Sequence, residues 1–150
     1  MKVLVFHIGA DRYGLRLGAI ARVLPAASLK QLPLAPAFVA GLLDFHGDPV
    51  PVIDLSQLAG APARQLWFDT RIILIDYPAN GESRALGLLA EHVAGIETIE
   101  PAALAGSGVT GAPFLGRVAG GQAGMLQLVE PDGLLTAEVR ALLFPAEAAA

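Results

Sequence analysis

The chain has 150 residues, a formal net charge of −4 and no cysteine, and 54% of its residues are hydrophobic. This length is enough for a buried core, and the lack of cysteine excludes disulfide bonds and thiolate metal sites. The acidic balance leaves no basic stripe for nucleic acid. Pro33 and Pro36 interrupt an apolar stretch that is too short to cross a bilayer, so no direct membrane insertion is expected. Asp11 and Arg12 end the apolar start before a signal-peptide core could form, which predicts a cytoplasmic protein.

Short runs of β-branched residues and leucine, separated by Gly, Pro and Asp, follow one another along most of the chain. In chain order the predicted strands are Lys2–Ile8, Tyr13–Leu17, Ile20–Leu24, Val50–Leu55, Arg71–Asp76, Ala85–Ala90, His92–Ile99 and Gly124–Val129. Many short strands at this spacing predict small barrels or a sandwich. The fold class is therefore mainly all-β.

The segment from Pro33 to Leu55 carries the strongest local signal. After Gly41 comes an apolar strand, then a tight His46-Gly47-Asp48 turn, then the second strand, which ends at Asp54. This order predicts a hairpin. Asp54 is expected to cap the turn that follows it.

Helical material is predicted to be scarce. Pro101–Ala105 and Ser56–Ala59 each suit a single turn. The one convincing helix begins after the cap residue Thr136 and ends before Pro145, and residues 145–150 are expected to be a frayed tail. The residues expected on the apolar face of this helix are Val139, Leu142 and Leu143.

Catalytic motifs are weak. Residues 106–111 match G-x-G-x-x-G, but neither the preceding strand nor the following helix of a nucleotide site is predicted there, so we interpret them as a loop. His7 and His92 have no base or nucleophile nearby in the sequence, and structural roles are expected for both. Glu91, Glu97 and Glu100 are expected to be solvated charges at strand ends. No nucleophile–base pair emerges, so an enzyme is the poorer interpretation and no cofactor is expected.

One candidate ligand site remains open beside the hairpin interpretation. Asp44, His46 and Asp48 alternate, so an extended strand would place them on one side, where they could bind a divalent cation. The same residues also suit a turn or a partner surface, since Gly47 breaks strand geometry. A small-molecule or metal-binding β-barrel is therefore kept as the alternative function.

From Pro36 to Leu55 the chain resembles the CheW-like family of chemotaxis scaffold proteins, whose pattern here is approximately P-x-x-(I/F)-x-G-x-x-N-x-R-G-x-x-(V/I)-P-V-(I/V)-D-L. The residues that match are Pro36, Val39, Gly41, Gly47, Val50, Pro51, Val52, Ile53, Asp54 and Leu55. The resemblance extends in order over nearly the whole chain and is most specific at Pro51–Leu55. It implies one CheW-like domain over residues 1–150, made of two interlocked five-stranded barrels of Src-homology-3-like type.

The resemblance also implies a non-enzymatic adaptor in chemosensory signal transduction. Its partners would be the regulatory domain of a CheA-type histidine kinase and the cytoplasmic tip of a methyl-accepting chemoreceptor. Carried over by position, the kinase-binding residues are Ile20, Arg22, Asp44 and His46. For the receptor groove the apolar positions expected are Val23, Leu24, Phe38 and Val39.

Two departures from the family pattern concern the kinase-binding positions. The Asn and Arg of the family's turn are Asp44 and His46 here, and a strand position that is often Glu is Arg22. Replacing a permanent cation by His46 makes the charge at this contact depend on pH near neutrality. These substitutions suggest an altered specificity for the kinase partner. Such a change is expected of a paralogue that serves a dedicated surface-sensing or twitching-type array.

Overall fold

The structure, a computed structural model, describes residues 1–61, 68–108, 112–120 and 124–145. The second half of the glycine motif at 106–111 and residues 146–150 of the predicted tail lie outside the described residues. The strands of the described residues are β1 (Lys2–Ile8), β2 (Asp11–Arg16), β3 (Ile20–Pro25), β4 (Val39–Phe45), β5 (Asp48–Asp54), β6 (Arg71–Ala79), β7 (Glu82–Thr98), β8 (Leu115–Ala119) and β9 (Leu126–Val129). The helices are α1 (Leu55–Leu58) and α2 (Ala137–Leu143), with 3₁₀ turns at Leu17–Ala19, Pro101–Ala103 and Pro131–Gly133.

Strand β7 divides the strands into two groups. Its first half pairs with β6 and β5, and these continue to β3 and β4, which together we call the central barrel. Its second half pairs with β1, and this strand continues through β2 and β9 to β8, which together we call the terminal barrel. Each barrel thus contains five strands of the described chain, with β7 common to both.

Each barrel is closed by one antiparallel bridge between its outermost strand and the chain that continues from the opposite edge. In the central barrel Lys30, which follows β3, exchanges backbone hydrogen bonds of 2.9 and 2.7 Å with Leu42 of β4. In the terminal barrel Ala105, which follows β7, exchanges two bonds of 2.9 Å with Val118 of β8. The two closures are equivalent in topology.

The main core lies between the barrels because β1 and β6 are buried on both faces. Leu4 and Phe6 of β1 belong to this shared core, whereas Val3 and Val5 pack inside the terminal barrel with Leu126 and Leu128. In β6 the same alternation places Ile73, Ile75 and Tyr77 in the shared core, and Ile72 and Leu74 inside the central barrel. Since successive side chains of a strand point to opposite faces, two buried faces require the continuous apolar runs of these strands.

The passage of β7 from one barrel to the other occurs at an irregularity around His92. Val5 pairs with Gly95 but His7 pairs with Glu91, so β7 has extra residues between 91 and 95. His92 has a φ of +48°, and its carbonyl oxygen accepts a hydrogen bond from Nδ1 of His7 at 3.0 Å. Asp69 completes the crossing, because its backbone oxygen accepts from the N–H of Val93 at 3.0 Å and its Oδ1 lies 2.9 Å from Nδ1 of His92.

Several local predictions are confirmed. Strand β1 has the predicted bounds, Asp54 caps α1 through bonds from the N–H groups of Ser56 and Gln57, and Oγ1 of Thr136 accepts from the N–H of Val139. The turn at Pro101 is confirmed as well.

Other local predictions are wrong. Ala85–Ala90 and His92–Ile99 form one strand rather than two, and β8 was not predicted at all. Glu91 is buried rather than solvated, because it lies opposite His7 where β7 crosses between the barrels. Leu142 is 52% exposed, since α2 buries only Val139 completely.

Gly41 provides a test of barrel closure. Its φ is +145°, and a Cβ atom there would lie 2.5 Å from the backbone oxygen of Lys30. We expect Gly41→Ala to lower the free energy of unfolding by about 2 kcal/mol or more, because it combines a strained backbone with a clash at the closing bridge. Urea denaturation measures this loss. Gly18→Ala is the control, since a Cβ there meets nothing within 4 Å; equal stability of the two variants would contradict the role of Gly41.

Candidate partner-binding surface

The hairpin of β4 and β5 ends in a two-residue turn made of His46 and Gly47. Their φ angles are +53° and +91°, the left-handed values that two-residue hairpin turns require. Phe45 pairs with Asp48 across the turn. Oδ1 of Asp44 accepts a hydrogen bond from the N–H of Gly47 at 2.8 Å, which fixes the turn from within.

Phe45 organises the side chains around this turn. Its ring lies 4.5 Å from the ring of His46, centroid to centroid, and the guanidinium carbon of Arg22 lies 5.6 Å from its centroid. An arginine held over an aromatic face gains a cation–π attraction. Because Arg22 comes from β3, Phe45 joins the edge of that strand to the hairpin. We call Arg22, Asp44, Phe45 and His46 the hairpin-tip surface.

The structure thus brings together three of the four residues that the family resemblance assigned to kinase binding. Arg22, Asp44 and His46 are all exposed around the half-buried Phe45. Ile20 differs, since it is half-buried and packs against the shared core rather than against Phe45. Phe45 was missed by sequence reasoning, although an aromatic residue directly before a predicted tight turn is a signal that could have singled it out.

The four apolar positions expected to line a receptor groove differ in exposure. Val23 is 42% exposed on β3. Leu24 packs against the core of the central barrel, and Phe38 packs against the shared core, both half-buried. Val39 belongs to the shared core with only 9% exposure. A partner could therefore contact Val23 directly, whereas the side chain of Val39 is buried and offers little surface to a partner.

The alternative metal site at the hairpin is not favoured. Among the described residues no group of three His, Asp or Glu side chains is arranged to hold a metal ion. The left-handed conformation of His46 breaks the extended alternation that would place it on one side with Asp44 and Asp48. In addition, one carboxylate oxygen of Asp44 already accepts from Gly47.

The other polar residues singled out from the sequence stabilise the fold. His7 forms a hydrogen bond with the backbone oxygen of His92 where β7 passes between the barrels. The side chain of His92 pairs with Asp69, 23 residues away in the sequence. Glu97 forms an ion pair with Arg12, 2.7 Å between Nη2 and Oε2. Among the described residues, no helix has the length and apolar character needed to cross a membrane.

Comparison with known proteins agrees with this geometry. The sequence profile of the CheW-like domain matches residues 2–139, so the chain belongs to the CheW-like domain family. A chemotaxis protein CheW of Rhizobium meliloti (strain 1021) is 26% identical over 98 residues, which is 65% of this chain and 61% of that protein. The match therefore spans less than two thirds of the length of that relative.

A solved structure confirms the fold. The crystal structure of the scaffolding protein TtCheW from Thermoanaerobacter tengcongensis superimposes with a TM-score of 0.80 at 25% identity, covering 91% of this chain and 88% of that chain. The predicted mainly-β fold with two Src-homology-3-like barrels is thus confirmed.

The turn at the hairpin tip allows a direct test of Asp44. Asp44→Ala removes the acceptor for the N–H of Gly47, and we expect a loss of about 1 kcal/mol in the free energy of unfolding. Thermal denaturation followed by circular dichroism measures it. Asp48→Ala, an exposed acid on the other side of the same turn, is the control and should leave the stability nearly unchanged. A loss of the same size in both variants would mean that general charge removal, and not the turn contact, is responsible.

Proposed function

We propose that this chain is a non-enzymatic adaptor that couples the cytoplasmic tip of a methyl-accepting chemoreceptor to the regulatory domain of a CheA-type histidine kinase. It would act in the cytoplasm, held at receptor arrays by its partners. The observation that carries the proposal is the hairpin-tip surface, an exposed arginine stacked on an aromatic ring, on the fold of a chemotaxis scaffold family.

The kinase contact is proposed at the hairpin-tip surface because of its composition. Arginine and aromatic residues are the side chains that most often dominate the energy of protein interfaces. Phe45 holds the guanidinium of Arg22 at one place, which reduces the rotamer entropy lost when a partner binds. His46 and Asp44, which are exposed at the turn, are expected at the rim of the interface. Charged groups at the rim of an interface contribute more to specificity than to affinity.

The signs of these charges suggest what the partner offers. Arg22 stands where the family often has Glu, so the facing position on the kinase is expected to be acidic. A kinase that carries a basic residue there would be rejected. This selectivity supports a paralogue dedicated to one array, such as a surface-sensing or twitching-type system.

The receptor contact is proposed beside Val23. Receptor tips are helical hairpins, and a helix can lay an apolar stripe into a groove on its partner. Val23 is the exposed apolar position of the four predicted, whereas Leu24 and Phe38 are half-buried. Ile20 remains a proposed position of the kinase contact and is not assigned to this groove.

The kinase contact is tested by the double variant Arg22→Glu, His46→Glu. We expect at least tenfold weaker binding to the isolated regulatory domain of the cognate kinase, because two positive or neutral groups at the contact become anions. Isothermal titration calorimetry measures the affinity, and circular dichroism verifies the fold. The matched control is Lys2→Glu, Arg117→Glu, which reverses two exposed cations on the terminal barrel. Wild-type affinity in the Arg22→Glu, His46→Glu variant would show that the kinase does not bind at the hairpin-tip surface.

The receptor contact is tested separately with Val23→Asp. A charge at this exposed apolar position should weaken co-sedimentation with receptor-containing membranes by about tenfold, since the carboxylate would be desolvated on binding. Binding of the kinase domain should persist in this variant. Leu142→Asp, at an exposed leucine of α2, is the control. Unchanged co-sedimentation of the Val23→Asp variant would show that the receptor does not contact this part of the surface.

A further inference from the structure

A cleft of about 450 Å³ lies where β2, the start of β8, α1 and the 3₁₀ turn at Pro131–Gly133 meet, and it shares no lining residue with either proposed contact. Small-molecule sites in proteins are clefts of roughly 300–1,000 Å³ with mostly apolar walls and a few polar groups. A protein partner, in contrast, covers about 800 Å² of flatter surface. The size of the cleft therefore suits a small molecule.

The walls of the cleft are apolar and firmly packed. Tyr13 lines one side and is stacked on Phe6, with 6.1 Å between ring centroids. Phe114 and Leu135 line another side and are 7% and 4% exposed. The floor is equally fixed, since a Cβ at Gly133 would lie 2.1 Å from the backbone oxygen of Pro113. Such packing preserves the shape of the cleft without a ligand.

The one charge that the described residues bring to the cleft is negative. Asp132 is exposed there and makes no hydrogen bond or ion pair with any described residue. Among the described lining residues it is the charged one, and no Lys, Arg or His accompanies it. Oγ1 of Thr136 accepts from the N–H of Val139, which leaves its O–H free to donate.

Tyr13 adds a neutral polar group to the same cleft. Burial raises the pKa of Tyr13, and the nearby Asp11 raises it further. The phenol therefore keeps its proton near neutral pH and can donate or accept a hydrogen bond. Among the described lining residues an anionic ligand would find a carboxylate and no cation, whereas an ammonium group would be attracted to Asp132.

We propose that this cleft binds a small organic cation with an apolar body, an amine carried on an aromatic or branched aliphatic group. The ammonium group lies against Asp132 and the apolar body lies between Tyr13, Leu58 and Phe114. Such a ligand would occupy the protein independently of the kinase and receptor contacts.

The experiment titrates the ¹⁵N-labelled full chain with 4-phenylbutylammonium and, separately, with 4-phenylbutyrate, which has a similar body but the opposite charge. We expect amide shifts confined to residues around Tyr13, Leu58 and Phe114, with the amine binding at least about tenfold more tightly than the acid. Equal affinities, or shifts centred on another part of the chain, would overturn the proposal.

Two variants locate the site. Asp132→Asn should weaken binding of the amine about three- to fivefold, because it removes a partly exposed ion pair. The affinity for the acid should stay the same or increase. Asp48→Asn, an exposed acid at the hairpin turn, is the matched control. Ala59→Trp, which fills the cleft from the residue that follows α1, should abolish binding of both probes while the remaining amide spectrum persists. Retained amine affinity in both cleft variants would show that the amine binds elsewhere.

Discussion

The rest of the structure depends on strand β7, whose 17 residues form part of both barrels. A strand of this length would normally continue one sheet, but the left-handed turn of the backbone at His92 redirects it. The backbone groups exposed by this irregularity are paired by His7 and Asp69, one from each side of the crossing. Buried backbone groups left unpaired would destabilise the protein strongly. These hydrogen bonds therefore fix how the barrels lie relative to each other.

This fixed arrangement explains why the surfaces lie where they do. With β1 and β6 buried on both faces, the shared core takes up the sides of the barrels that face each other. Partner contacts are then left to strand edges, turns and the seams between elements. The hairpin-tip surface lies at a turn of the central barrel, and the apolar cleft lies where the terminal barrel meets α1. Each surface belongs mainly to one barrel.

Sequence reasoning succeeded where the determinants are local. The hairpin, the Asp54 cap and the Thr136 cap each depend on residues within a few positions of one another. It failed where contacts are distant in sequence. Glu91 and His92 look like a polar break between two strands, and only the pairing with His7, more than 80 residues away, makes them part of one strand.

The candidate site shows the same division. Arg22 and His46 could be assigned through a family resemblance, whereas the role of Phe45 in joining them depends on a contact between β3 and the hairpin. Strand β8 escaped prediction because Gly116 and Arg117 interrupt its apolar pattern. The side chain of Glu130 takes the space beside Gly116 while pairing with Arg16, a long-range arrangement that no local pattern encodes.

Because β7 belongs to both barrels, the order of the strands along the chain also determines which barrel can fold first during synthesis. All strands of the central barrel come from one continuous stretch, residues 20–90, whereas the terminal barrel combines β1 and β2 with β8 and β9 from the far end of the chain. During vectorial synthesis the central barrel can fold as it emerges, while the β1–β2 hairpin waits for partners made last. Until then the face of β1 that packs inside the terminal barrel, which includes Val3 and Val5, lacks its partners Leu126 and Leu128. During synthesis β1 is therefore the strand most exposed to aggregation, and chaperones would have most to protect there.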